Sequence, residues 1–272
     1  MQSQSTTPTS RTVLITGSSR GIGLGTAKCF ATNGDTVILS GCNDSDALEQ
    51  AVEEVTTLGK CASCGKATSY GKCVCDCNAT SIGKCAGYMA DLSDYNKARE
   101  MFSRIQADFG PLDVLVNNAG AAYYGLFADM HPSDWQSVLA DNLLTQINTT
   151  HLAVPAMVRA KSGCIINITS VWGISGASCE VMYSAAKAAV IGFTKSLAKE
   201  LGPSGVRVNA IACGTFDTRM IADFNQDEKA DILEDIPLGR FGYPSDAGEL
   251  AVFLASAGYI TGQIVGLDGG FL

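Results

Sequence analysis

The sequence predicts a single α/β domain built on a doubly wound parallel sheet, and three observations carry that expectation. Apolar, β-branched runs of strand length alternate along the chain with segments of helical period. The runs are continuously apolar, as strands covered by helices on both faces must be, and lack the in-out alternation of a sheet with one wet face. At 272 residues, 46% hydrophobic and 17% charged, the chain can fill one sizeable core and is near the length at which α/β chains fold as one unit.

The elements follow in order. Thr12 to Thr16 (TVLIT) is the first strand, and Gly17, Gly21 and Gly23 lead from it into a helix over Leu24 to Asn33. A second strand, TVILS at 36 to 40, precedes a helix over Asp46 to Leu58. A third strand lies just ahead of Asp91, before a helix over Asp94 to Phe109. VLVNN at 114 to 118, one long helix from Ser133 to Lys161, and CIINIT at 164 to 169 come next. A helix over Val181 to Leu201, the strand VRVNAI at 206 to 211, a helix over Ser245 to Ala255 and the strand IVGLD at 264 to 268 complete the series. With 29 glycines against 7 prolines, the glycines serve tight turns inside a fold rather than a Pro/Gly-rich coil.

Residues 1 to 10 (MQSQSTTPTS) are polar, without the basic and apolar blocks of a signal peptide, and read as a disordered tail ahead of a domain spanning 11 to 272. Net charge of −8 and a shortage of clustered cations argue against nucleic-acid or anionic-membrane partners and leave a small molecule. The expected setting is cytoplasmic. Six of eleven cysteines crowd into residues 61 to 85, and the other five are scattered singly through apolar runs, a distribution that fits a reducing compartment.

That crowded stretch is a tandem repeat. Val55 to Cys61, Ala67 to Cys73 and Ala79 to Cys85 recur with a period of twelve, each ending Gly-Lys-Cys. Removing 62 to 85 leaves a loop of ordinary length, so the repeat is an insertion at about 61 to 85 on a complete domain. Cys61 and Cys64 have zinc-knuckle spacing, and Cys73, Cys75, Cys77 and Cys85 supply further thiolates. Structural zinc on four of the six is the first expectation; a thiol-rich loop left by repeat expansion, or disulfide or iron–sulfur chemistry, are the alternatives. The repeat is expected near the adenine end of a cofactor groove, because it precedes Asp91 by few residues.

The chemistry begins at Thr16-Gly-Ser-Ser-Arg20-Gly-Ile-Gly23, where a strand opens into a helix. Glycines at that junction let backbone N–H groups and the positive helix end approach a pyrophosphate, the signature of a Rossmann-type dinucleotide fold. No carboxylate closes the second strand, which ends Ser40-Gly-Cys-Asn43, whereas Arg20 suits a 2′-phosphate; NADP(H) is favoured over NAD(H). Tyr183 and Lys187 stand one helical turn apart, so an ammonium faces a phenol and is expected to lower its pKa. Ser170, at the end of the preceding strand, is placed to share a substrate oxygen with that phenol. His131 and His151, neither near a nucleophile elbow, read as structural.

With TGSSRGIG at 16 to 23, Asp91-Leu92, NNAG at 117 to 120, Asn142, Ser170, the YxxxK helix, Gly214 to Thr218, PLGR at 237 to 240, TGQ at 261 to 263 and DGG at 268 to 270, the chain resembles the short-chain dehydrogenase/reductases from Arg11 to Leu272, apart from the repeat. The resemblance implies hydride transfer between nicotinamide and a ketone or secondary alcohol. It implies Tyr183 as general acid, Ser170 on the carbonyl oxygen, Lys187 on the nicotinamide ribose and Asn142 in a proton relay. It further implies cofactor contacts from Gly17, Ser19, Arg20, Gly21, Ile22, Gly23, Asp91, Leu92, Asn118, Ala119, Gly120, Tyr183, Lys187, Gly214, Phe216 and Thr218, and a homo-oligomer, tetramer or dimer. Cys213 stands where the family pattern has proline, and Cys42 where NADP-using members often carry arginine. Tyr123, Tyr124, Leu126, Phe127, Trp172 and Ile174 suggest an apolar pocket wall and a hydrophobic substrate. A 3-oxoacyl carrier-protein reductase is the enzymatic alternative, with Arg159 and Lys161 as cations for an acidic carrier, and a dinucleotide-binding metal- or redox-responsive regulator is the alternative of another class.

Overall fold

A computed structural model describes residues 10–58, 84–221 and 225–272, together with the backbone of 68–69 and 72–73. Seven parallel strands form one sheet: β1 (Thr12–Ile15), β2 (Thr36–Gly41), β3 (Cys85–Met89), β4 (Val114–Asn117), β5 (Gly163–Ser170), β6 (Val206–Cys213) and β7 (Ile264–Leu267), in the spatial order 3-2-1-4-5-6-7. The order reverses between β1 and β4, and a ligand crevice opens outside the carboxyl ends of the strands at such a reversal.

Helices α1 (Gly21–Asn33), α2 (Ser45–Leu58) and α9 (Pro244–Ser256) cover one face. The other is covered by α3 (Tyr95–Phe109), α5 (Thr145–Ala160) and α7 (Val181–Leu201). Two apolar layers result, one around Phe30, Val37, Ile166 and Leu254, the other around Leu14, Met101, Leu115 and Ile165. Central strands buried on both faces explain the unbroken apolar runs of the sequence. The remaining helices are α4 (Pro132–Leu139), the short α6 (Trp172–Ser175) and α8 (Gln226–Glu234). No helix among the described residues is long and apolar enough to cross a membrane.

The long helix expected from Ser133 to Lys161 is interrupted. After α4, residues Ala140–Leu144 make a π turn, and α5 starts only at Thr145. A single π turn adds one residue to one turn, a slip too local to register in a hydrophobic pattern read over about 11 to 18 residues.

Of the repeat cysteines, Cys61, Cys64, Cys75 and Cys77 lie outside the described residues, and of Cys73 only the backbone, in a two-residue antiparallel pairing with Thr68, is described. Cys85 opens β3 opposite Val37, its thiol packs against the core, and burial pushes its pKa up to about 11, a poor state for a metal ligand. Among the described residues no group of three or more metal-ligating side chains occurs. The chain enters β3 at Cys85 and Asp91 lies past the strand's other end; where the repeat sits relative to the adenine end lies outside the described residues.

Candidate active site

The turn after β1 is built so that only glycine fits. Gly17 and Gly21 have φ of +60° and +56°, and a Cβ on Gly17 would stand 2.8 Å from the Ala119 backbone. A Cβ on Gly23 would meet the Gly17 carbonyl at 2.5 Å. The loop is strutted from β4: Thr16 Oγ1 accepts the N–H groups of Asn118 and Ala119, and Asn118 Nδ2 donates to the carbonyls of Thr16 and Gly17, all at 2.9 Å. The Asn118 amide is thus spent on shaping the turn. No side chain caps α1 at Arg20, so its first-turn N–H groups remain available to an anion, and the donor set fits a dinucleotide pyrophosphate.

Around that turn stand the remaining candidates. Arg20 is exposed and 3.9 Å from Asp44, whose other oxygen accepts the Ala47 N–H at the start of α2. Asp91 accepts from Ser93 N–H and Oγ, which holds its carboxyl below the usual range, and Lys97 is 3.7 Å away; Leu92 is buried beside it. Cys213 ends β6 and is buried; the next residue, Gly214, packs so tightly that a Cβ there would lie 2.8 Å from the Asp268 backbone. Phe216 is buried and its backbone forms a parallel bridge to Gly242. Thr218 lies over Gly21, within van der Waals reach of a Cβ built there.

Four residues meet at the carboxyl ends of β4 and β5. Ser170 is the last residue of β5, and its Oγ accepts the Trp172 N–H at 3.2 Å. Its hydroxyl lies beside that of Tyr183 on α7 and works against the rise of the phenol's pKa. Lys187, one turn along α7 and buried, donates from Nζ to the Ile168 carbonyl at 3.2 Å and lies 5.5 Å from the Tyr183 ring centre. Asn142 sits in the π turn, its Nδ2 donating to the carbonyls of Ala121 and Val138, its Oδ1 buried and unpartnered. A Cβ on Gly120 would fall 2.6 Å from Asn142 Oδ1 and 3.4 Å from Lys187 Nζ, so the bare backbone of Gly120 is what lets the two groups approach.

Electrostatics correct one expectation. Burial raises the Tyr183 phenol above the ordinary tyrosine range, with Glu180 and Cys213 adding to the rise, and the Lys187 charge does not reverse it. The same burial lowers Lys187 to about 8 and raises Cys213 to about 12. The arrangement is a neutral phenol beside an ammonium that gives up its proton easily, which suits proton donation.

Other expected residues lie elsewhere. Arg159 and Lys161 precede β5 at its amino end, across the whole strand from Ser170, so neither borders this site. His131 and His151 are exposed, the first accepted by Asp134 through its backbone N–H, the second hydrogen-bonded to Tyr95. Of the proposed pocket wall, Tyr124, Leu126, Phe127 and Ile174 are exposed, and Trp172 packs edge-on against Phe271 at 5.3 Å. Gly173 is a contributor that the sequence does not flag: a Cβ there would strike the Lys187 carbonyl carbon at 2.7 Å.

The family description "Enoyl-(Acyl carrier protein) reductase" matches residues 72–272, and "short chain dehydrogenase" matches 11–68. The chain is 36% identical over 261 residues to a 3-oxoacyl-[acyl-carrier-protein] reductase FabG of Thermotoga maritima, covering 95% of this chain and 96% of that protein. It is 36% identical to the enzyme of the same name in Chlamydia trachomatis and to the uncharacterized oxidoreductase YmfI of Bacillus subtilis, each over 264 residues, covering 96% of this chain and 96% and 98% of theirs.

Proposed function

This chain belongs to the short-chain dehydrogenase/reductase family, an NAD(P)(H)-dependent oxidoreductase of keto and carbinol groups, and from that premise we propose that it reduces the ketone of a 3-oxoacyl thioester with NADP(H). The observation that carries the reading is the convergence of Ser170, Tyr183, Lys187 and Asn142 on one point beside the glycine turn. The nicotinamide, when bound, supplies the hydride that reaches the carbonyl carbon. Residues 17 to 23, Asp91-Leu92, 118 to 120 and 214 to 218 would hold the cofactor. Ser170 donates a hydrogen bond to the ketone oxygen and fixes it against Tyr183. Tyr183, kept protonated by burial, gives its proton to that oxygen as it becomes an alkoxide. Lys187, with a pKa near 8, steadies the phenolate left behind, and Asn142 Oδ1 accepts from the donor that resupplies the proton.

Arg20, with no carboxylate at the end of β2, supports NADP(H) over NAD(H), although Asp44 shares the arginine. Support for a carried thioester comes from the relatives' names. The far position of Arg159 and Lys161 favours a second reading, a free hydrophobic ketone without a carrier. Consumption of NADPH and NADH, followed at 340 nm with carrier-bound and small 3-oxoacyl thioesters, steroids, sugars and simple ketones, separates the two. Equal kcat/KM for carrier-bound and small thioesters would remove the carrier, and turnover of sugars alone would sink both readings. Tyr183→Phe should lower kcat about 10²-fold or more with cofactor binding kept. The working form is a cytoplasmic homo-oligomer, tetramer or dimer, joined through α5 and α7; a monomer in light scattering at micromolar concentration would refute the assembly.

A further inference from the structure

A backbone carbonyl on β5 has been released from the sheet and given to two side chains. β5 and β4 pair only as far as Asn167 and Asn117, while β5 runs on to Ser170. Cys164 N–H bonds to Asp113, so the even-numbered residues of β5 face β4, and the Ile168 carbonyl points to where β4 has ended. It accepts Lys187 Nζ at 3.2 Å and, at 3.1 Å, Nε2 of Gln146, the second residue of α5. Gln146 is fully buried, and its Oε1 has no partner. An apolar side chain would cost less at such a place unless the amide were needed, since a buried oxygen without a hydrogen bond is destabilising.

We propose that Gln146 is a positioning residue for the proton transfer: its amide occupies one lone pair of the Ile168 carbonyl and so confines the Lys187 ammonium to the other. The proposal rests on the reading of Tyr183 and Lys187 given above. Two donors on one acceptor repel each other, so the Gln146 N–H both fixes Nζ and loosens its hold on the proton. Gln146 follows the π turn directly, four residues after Asn142, so its amide meets the Ile168 carbonyl that also accepts the ammonium, while Asn142 stands one turn earlier in the same irregular stretch. The titratable groups facing Lys187 and Tyr183 are the Cys213 thiol from β6 and the Glu180 carboxyl ahead of α7, and neither touches Gln146 by hydrogen bond.

The test is the pH dependence of oxidation of a 3-hydroxybutyryl N-acetylcysteamine thioester with NADP⁺, in wild type, Gln146→Met, Gln146→Glu and Tyr183→Phe. Gln146→Met frees the carbonyl for the ammonium alone, so the charge persists to higher pH, the phenolate is better supported, and the alkaline-rising limb of kcat moves down by about half a unit or more, with kcat at the plateau lower by about tenfold through lost positioning. Gln146→Glu brings a carboxylate that neutralises the ammonium's field, and the limb moves up. Thermal melts establish which variants are folded; should the Met variant not fold, the direction of the Glu shift decides. Limbs that stay in place in folded variants, whatever happens to kcat, overturn the positioning role while leaving the function intact. Turnover in Tyr183→Phe equal to wild type overturns the underlying reading and this inference with it.

Discussion

Lys187 shows how a functional side chain strains the fold that holds it. Its pKa falls from the ordinary lysine value to about 8, so between there and about 10.5 the unfolded chain binds a proton that the native chain does not. Stability therefore rises with pH through that window, and at neutral pH the charged lysine costs native stability of order 1–3 kcal/mol. Lys187→Met should be inactive yet more resistant to urea than wild type at pH 7, with the advantage shrinking as pH passes from 8 towards 10.5; an advantage that grows with pH would contradict the account. Gly120→Ala tests the same cluster from the other side. A methyl 2.6 Å from Asn142 Oδ1 must displace it, and kcat should fall about tenfold in a steady-state comparison. Arg20→Ala should raise KM for NADPH about tenfold and leave that for NADH nearly unchanged; equal effects would assign Arg20 to the turn rather than to a 2′-phosphate.

At the scale of elements, the closest packing is between α1 and α9. A Cβ on Gly25 would sit 2.4 to 2.6 Å from Pro244, backbone included, so Gly25→Ala should destabilise by about 1–3 kcal/mol in urea titration despite the better helix former. These elements were legible because their signals are local: β-branched runs for the strands, and the left-handed glycines at 17 and 21 for the first turn. The break at 140 to 144 was not legible: it lies where Asn142 and Gln146 are buried, and tertiary packing leaves no periodic mark. The same limit explains the phenol: spacing placed Lys187 beside Tyr183, but the depth of burial that raises the phenol's pKa is set by tertiary packing, such as that of Gly173 in α6 against the Lys187 backbone.

For the molecule as a whole, the insertion feeds an edge strand and the site lies at the sheet's centre. Deleting 62–85, so that Cys61 stands in place of Cys85, should preserve kcat and KM within about twofold and the melting temperature within a few degrees, because the shortened connection between α2 and β3 is still of ordinary length and the site is at the sheet's centre. Loss of cofactor binding in that variant would give the repeat a part in the groove. The sheet also has a polarity. Residue 10 leads into β1 at the strands' amino ends, whereas Phe271 packs on Trp172 next to Ser170, at the opposite rim. An enzyme anchored to a bead or electrode through the chain ahead of residue 10 would turn its working mouth outward to the solution, and one anchored through Leu272 would press that mouth against the support.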